Sequence, residues 1–223
     1  MPNTIGFQPV LPNGGVAATW DFKMKVKAVV FDLGKVLVDF DYGLAAHRLA
    51  ENSTANADEV RAVIDQTPLL FRYEGGQMTT QEFFTEVKAR IGFRGSLEEF
   101  AAPFGDIFTE LPEMIALHAE IRARGLPTFI LSNTNDIAIG HIRRRFPFFA
   151  KFDGYVLSYE CAALKPHARI YEITEQRTGC CGDEILFLDD KPENVEAAAQ
   201  RGWQTICHAS AAESGAQVRS LLG

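Results

Sequence analysis

The sequence predicts an α/β fold, a parallel sheet with a helical insertion after its first strand. Three observations carry this. Val29, Val30 and Phe31 form an apolar run that ends in Asp32 and turns at Gly34. From Pro112 onward, short apolar runs alternate with segments of helical period. Between these regions, residues 42–108 read as helix almost throughout. A continuous apolar run is what a strand covered on both faces displays. Strand–helix alternation implies parallel pairing through right-handed crossovers.

Residues 1–25 contain Pro2, Pro9, Pro12, Gly14 and Gly15 and read as a partly irregular N-terminal extension. It lies on the body or reaches a neighbouring subunit; the sequence leaves both open. The core is expected over residues 26–41 and 109–223, with a helical cap over 42–108. Asp32 falls at the carboxyl end of the first strand, where open α/β sheets hold their ligands. In the cap, Asn56 with Glu59, Thr79 with Glu82, and Ser96 with Glu99 each have the spacing of a helix-capping pair. Gly75-Gly76 separates two of the helices.

Pro112 opens a helix with Met114, Leu117 and Ile121 on one face, and Gly125 closes it. Strands follow at Pro127–Leu131, Gly154–Leu157, Ile185–Leu188 and Gln204–Cys207. Helices are expected from about Asp136, around His167–Thr178, from Pro192, and near Ala211–Leu222.

A chain of 223 residues can bury one core and carry a modest second module. With 47% hydrophobic and 23% charged residues it has the composition of a soluble globular protein. A net charge of -7 argues against nucleic acid or an anionic membrane as partner, yet permits a small phosphorylated substrate. No apolar run approaches the ~20 residues of a membrane span. The first residues lack the basic and apolar segments of a secretory signal, so a cytoplasmic location is expected. The four cysteines form no Cys-x-x-Cys pair, and the five histidines show no His-x-x-x-His spacing. Free thiols are expected, and a histidine zinc site is not. Nothing in the sequence fixes an oligomeric state.

Polar groups recur at one topological place, the carboxyl end of a strand or just beyond. They are Asp32, Ser132, Lys165 and the pair Asp189-Asp190. Each alone has a plain reading as a turn residue, helix cap or solvated lysine. Together they supply what phosphoryl transfer through an aspartyl-phosphate requires: a nucleophilic carboxylate, a hydroxyl, a lysine and acids for a metal. The acids suit Mg²⁺, a hard cation that prefers oxygen ligands.

These motifs, Phe-Asp-Leu-Gly at 31–34, Leu-Ser-Asn-Thr-Asn at 131–135, Lys165-Pro166 and Phe-Leu-Asp-Asp at 187–190, resemble those of the haloacid dehalogenase (HAD) superfamily of hydrolases. Ser-Asn-Thr-Asn and Lys-Pro-x-Ala-Arg-Ile-Tyr are similar to its group of α-D-glucose-1-phosphate phosphatases and epoxide hydrolase N-terminal phosphatases. The resemblance implies a Rossmann-like core with a helical cap and a Mg²⁺-dependent phosphatase acting on a small phosphorylated metabolite, a sugar 1-phosphate among the candidates. It implies Asp32 as nucleophile, with Ser132 and Lys165 also catalytic. Metal ligands would be Asp32, the Gly34 carbonyl and Asp190, with Asp189 behind them. Leu33, Gly34, Ser132, Asn133 and Lys165 would bind the phosphate. The cap segment Phe71-Arg72-Tyr73-Glu74 would set the substrate, with Arg72 meeting a hydroxyl or a second anion or standing as an exposed helix-end arginine. Glu193 and Asn194 would order metal-bound water or simply begin a helix.

The main departure is Gly34, where most such phosphatases carry an aspartate that protonates the leaving oxygen. Its loss costs ~10²–10⁴ in rate for a poor leaving group, which favours acidic ones. Lys35, Asp39 and Asp41 are the nearby substitutes. Ala162, Leu164 and His167 depart in smaller ways before and after Lys165. Two other readings follow from Gly34: a 2-haloacid dehalogenase, in which Asp32 attacks carbon without a metal, and a phosphate-binding protein that has lost turnover.

Overall fold

The computed structural model describes residues 26–223, so the expectation for residues 1–25 lies outside the described residues. The elements run β1 (Ala28–Phe31), β2 (Val38–Phe40), α1 (Tyr42–Ala50), α2 (Ala57–Ile64), α3 (Pro68–Glu74), α4 (Thr80–Ile91), α5 (Leu97–Gly105) and β3 (Phe108–Glu110). They continue with α6 (Pro112–Ala123), β4 (Thr128–Ser132), α7 (Asp136–Arg145), β5 (Gly154–Leu157), α8 (Ser158–Cys161) and α9 (Ala168–Thr178). The last are β6 (Ile185–Asp189), α10 (Pro192–Ala199), β7 (Gln204–Cys207) and α11 (Ala211–Leu222). Short 3₁₀ turns lie at Pro147–Lys151 and Gly182–Glu184.

β1 sits at the centre of a five-stranded sheet of order β5-β4-β1-β6-β7, and every pairing is parallel. This is the expected Rossmann-like core. Side chains alternate between its two faces. Val29, Phe31, Ile130, Leu186 and Leu188 enter one apolar cluster, while Ala28, Val30, Phe129, Leu131 and Phe187 enter another. Both faces are covered, which is why the strand sequences read as unbroken apolar runs. Each large apolar side chain so buried contributes about 1.5–3 kcal/mol.

The helical cap after β1 comprises α1 to α5. Its own core gathers Tyr73, Phe83, Phe100 and Phe104, with Tyr73 and Phe83 stacked at 4.4 Å. All three expected capping boxes form, at Asn56/Glu59, Thr79/Glu82 and Ser96/Glu99. α3 stops at Glu74, and Gly76 takes φ +66° in the turn that follows.

One feature departs from the sequence reading. β2 and β3 pair antiparallel, Phe40 opposite Phe108, and make a ribbon where the cap leaves and rejoins the core. Three-residue strands far apart in sequence carry too little periodicity to be read locally. No helix of the described residues is long and apolar enough to cross a membrane. Cys161, Cys180, Cys181 and Cys207 are all free.

His118 on α6 is buried, stacked on Phe152 at 3.9 Å, with Nε2 3.0 Å from Thr128 Oγ1. Burial, aided by Arg122, pushes its pKa from the ordinary 6.5 down to about 4. The unfolded chain therefore binds a proton in that window which the folded one refuses, and stability falls as pH drops from about 6.5 to about 4. His118→Gln is expected to flatten this part of the profile, read as a smaller fall in Tm between neutral and acidic buffer.

Candidate active site

Three parallel strands deliver the polar groups to one end of the sheet. Asp32 follows β1, Ser132 ends β4, and Asp189 ends β6. Lys165 enters from the loop before α9, and all four residues are buried. Lys165 Nζ lies 2.9 Å from Asp32 Oδ1 and 2.5 Å from Asp189 Oδ2, and it also donates to the Leu131 carbonyl at 2.9 Å. Burial alone would pull the Lys165 ammonium down, but Asp32 and Asp189 outweigh it and hold its pKa above the ordinary lysine value. The lysine is a fixed positive charge.

Asp32 Oδ1 also accepts the Leu33 N–H at 2.7 Å, which sets the carboxylate's orientation. Burial pushes its pKa up, Lys165 opposes this, and Asp189 and Asp190 add to the rise. Asp189 is more fully engaged. Besides Lys165, its Oδ1 accepts the Lys191 N–H at 2.8 Å and Asn194 Nδ2 at 2.9 Å. Asp190 is half-buried, and its pKa is raised by burial and by Asp189.

Carboxylate oxygens of Asp32, Asp189 and Asp190 all lie within 4.8 Å of one another. Three carboxylates against the Lys165 ammonium leave excess negative charge where an anionic substrate would have to enter. A hard divalent cation resolves that excess, and oxygen ligands are the kind it takes. The residues present therefore fit Mg²⁺. Because Asp189 is occupied by three donors, Asp32 and Asp190 are the carboxylates better placed to ligate.

Asp32, Leu33, Gly34, Ser132, Asn133, Lys165 and Asp190 line one pocket. The Asn133 side chain has a second task. Its Oδ1 accepts the Lys165 N–H at 2.8 Å and its Nδ2 donates to the Lys165 carbonyl at 3.0 Å, locking the lysine loop. Asp189 stands behind the pocket lining, and Arg72 is not part of that lining. The Arg72 guanidinium lies 3.5 Å from Glu86 on α4. Asn194 holds Asp189, and its carbonyl accepts the Tyr171 hydroxyl at 3.0 Å.

The side-chain space at Gly34 is filled. A Cβ there would stand 2.8 Å from Phe40 Cε1, so the ring occupies the room an aspartate would need. Gly34→Ala is expected to cost about 1–3 kcal/mol through overpacking, read as a lower urea midpoint at unchanged m-value.

Of the cap segment that the sequence singles out, Phe71 and Glu74 reach the same pocket rather than Arg72, and Gln66, which sequence reasoning missed, joins them. One signal was available for Glu74. An acid in the last position of a helix opposes the macrodipole, so its presence there calls for another reason.

A family model described as haloacid dehalogenase-like hydrolase matches residues 26–202. The chain belongs to that family. The enzyme is 29% identical over 206 residues to Acyl-CoA dehydrogenase family member 10 of Mus musculus; the match takes in 86% of this chain and 19% of that protein. It is 25% identical over 187 residues to D-ribitol-5-phosphate phosphatase of Bacteroides thetaiotaomicron, covering 81% of this chain and 91% of the phosphatase. Among solved structures, HAD family enzyme bt-2542 of B. thetaiotaomicron, in complex with magnesium and inorganic phosphate, superposes with a TM-score of 0.74 at 22% identity. That match covers 82% of this chain and 94% of the other. L-2-haloacid dehalogenase of Xanthobacter autotrophicus, with chloropropionic acid covalently bound, gives 0.60 at 20% identity over 89% and 84% of the two chains. These structural likenesses establish the shared fold.

Proposed function

We propose that the enzyme is a Mg²⁺-dependent phosphatase of a small phosphorylated metabolite, working through an aspartyl-phosphate on Asp32. The observation that carries this is the buried Lys165 bridge between Asp32 and Asp189, with Asp190 beside it on the pocket wall. Mg²⁺ held by Asp32, the Gly34 carbonyl and Asp190 would offset the repulsion between the nucleophile and a phosphate dianion. Asp189 keeps Lys165 and the start of α10 in place around that site.

Asp32 attacks phosphorus, and the bond to the leaving oxygen breaks. Ser132, the Asn133 backbone and Lys165 hold the phosphoryl oxygens as charge builds on them. Water then displaces the Asp32 carboxylate. Tyr42 and Phe71 lie on the cap side of the pocket, where the leaving group would sit. A sugar 1-phosphate suits that place, since an anomeric oxygen leaves more readily than a simple alkoxide. This agrees with the motif likeness to glucose-1-phosphate phosphatases, while the relative named a D-ribitol-5-phosphate phosphatase supports only the wider class of small phosphorylated polyols and sugars.

The test is phosphate release across a sugar-phosphate panel with Mg²⁺ and with EDTA. Release that requires Mg²⁺ is expected. Equal release in EDTA, or none across the panel, overturns the reading. A haloacid dehalogenase is the second reading, favoured by Gly34; halide release without added metal would support it. Against it stands Asp190, which has no task in metal-free attack on carbon.

A further inference from the structure

We propose that Glu74 replaces the absent acid at position 34, protonating the leaving oxygen and then deprotonating the hydrolytic water. This rests on the phosphatase reading above. The carboxyls lining the pocket are those of Asp32, Glu74 and Asp190. Asp32 is the proposed nucleophile and Asp190 a proposed metal ligand, which leaves Glu74.

The nearer substitutes are committed elsewhere. Lys35 Nζ pairs with Asp39 and donates to the Phe40 carbonyl at 3.2 Å. Asp41 Oδ1 caps α1 through the Gly43 N–H at 2.7 Å. Phe40 fills the Gly34 side-chain space.

Glu74 is held in place from both ends. Its carbonyl accepts the fully buried Ser158 Oγ at 2.6 Å, and that oxygen accepts the Thr134 N–H at 2.9 Å. The end of α3 is thereby tied through Thr134 to the loop that carries Asn133 and follows Ser132. The Asn135 side chain stands near enough to the Glu74 carboxyl to favour its charged form. Asn135 Oδ1 accepts the Ala138 N–H at 3.0 Å, which leaves the amide nitrogen as the group able to donate to a carboxylate. Burial pushes the Glu74 pKa up to about 7, with Lys191 and Asn135 pulling the other way. Such a group can give a proton and take one back near neutrality. The charged and titratable groups around it are Lys191, Tyr42 and Tyr73, with Asp32, Lys35, Lys165 and Asp190 across the pocket.

The protons balance. As Asp32 forms its bond to phosphorus, the electron pair of the breaking P–O bond goes to the leaving oxygen, which takes the Glu74 proton. In the second step Glu74 carboxylate removes a proton from the attacking water, the Asp32–phosphorus bond breaks, and both carboxyl groups return to their starting states.

Glu74→Gln keeps the shape and the carbonyl that Ser158 uses. The probes are p-nitrophenyl, phenyl and benzyl phosphate with Mg²⁺, followed in single-turnover and steady-state assays. Alcohol release from benzyl phosphate should fall ~10²–10⁴-fold in the variant. Nitrophenolate release should keep its first-turnover rate and become a burst followed by slow turnover. The wild-type pH limb near neutrality should vanish from the benzyl phosphate profile. Slowing of all three substrates by one factor without a burst, or no slowing at all, overturns the proposal. Wild-type enzyme inert toward every probe, or turnover that survives Asp32→Asn, overturns the phosphatase reading instead.

Discussion

Asp32→Asn is expected to reduce phosphate release by on the order of 10⁴–10⁶-fold while leaving the fold intact, a loss typical of removing a nucleophile. The asparagine side chain has almost the same shape. Its Oδ1 can still accept the Leu33 N–H and the Lys165 ammonium, the two contacts that orient the carboxylate in the native protein. What it cannot do is form an acyl phosphate, because an amide oxygen is a poor nucleophile. The substitution also removes a buried charge and one of three crowded carboxylates; burial first, and then Asp189 and Asp190, push the pKa of Asp32 up. Tm should therefore stay level or rise, measured by calorimetry without added metal. Mg²⁺ affinity should fall, read by titration calorimetry. Loss of activity with a retained Tm is the signature of missing chemistry. Activity near the wild-type level would remove Asp32 from its role, and a collapse of Tm would mean the carboxylate is needed for folding.

The core was legible because each signal in it is local. β1, β4 and β6 are buried on both faces, so their apolar runs stand out, and the polar residue ending each run marks the active end of the sheet. The capping pairs Asn56/Glu59, Thr79/Glu82 and Ser96/Glu99 were legible for the same reason, since partners three residues apart meet whatever the rest of the chain does. The cap's contribution to the site was not. Arg72 drew attention as the cation in Phe71–Glu74, yet Phe71 and Glu74 are the residues that line the pocket. Three residues apart, they share a helix face, while Arg72 is turned about 100° away from Phe71 toward α4. Which face meets the core depends on how α3 docks, through Ser158 and Glu74, and no local pattern encodes that. The Phe40 ring at Gly34 was hidden likewise, because it depends on the ribbon of β2 and β3.

Lys165→Met should harm both stability and turnover, and the two losses can be separated. The lysine side chain is almost wholly buried and satisfies Asp32, Asp189 and the Leu131 carbonyl together. Methionine fills similar volume but leaves two carboxylates facing each other in a poorly solvated place. Breaking a buried pair from one side costs about 3–5 kcal/mol, more than the pair itself adds, because the orphaned charge remains. The urea midpoint should drop accordingly. Turnover should fall by about 10²–10³, the usual cost of losing one group that meets developing charge. Lys165→Arg is no conservative rescue, since a planar fork is larger than an ammonium and presents its donors in a different geometry. The informative partner change is Asp189→Asn. In the double variant the second buried charge is gone, so much of the lost stability should return, while turnover stays low because no cation meets the phosphate. Non-additive stability alongside uncorrected activity would place Asp189 as the group that fixes the lysine. Recovery of both together would show that Lys165 matters only to folding and would remove it from the proposed chemistry.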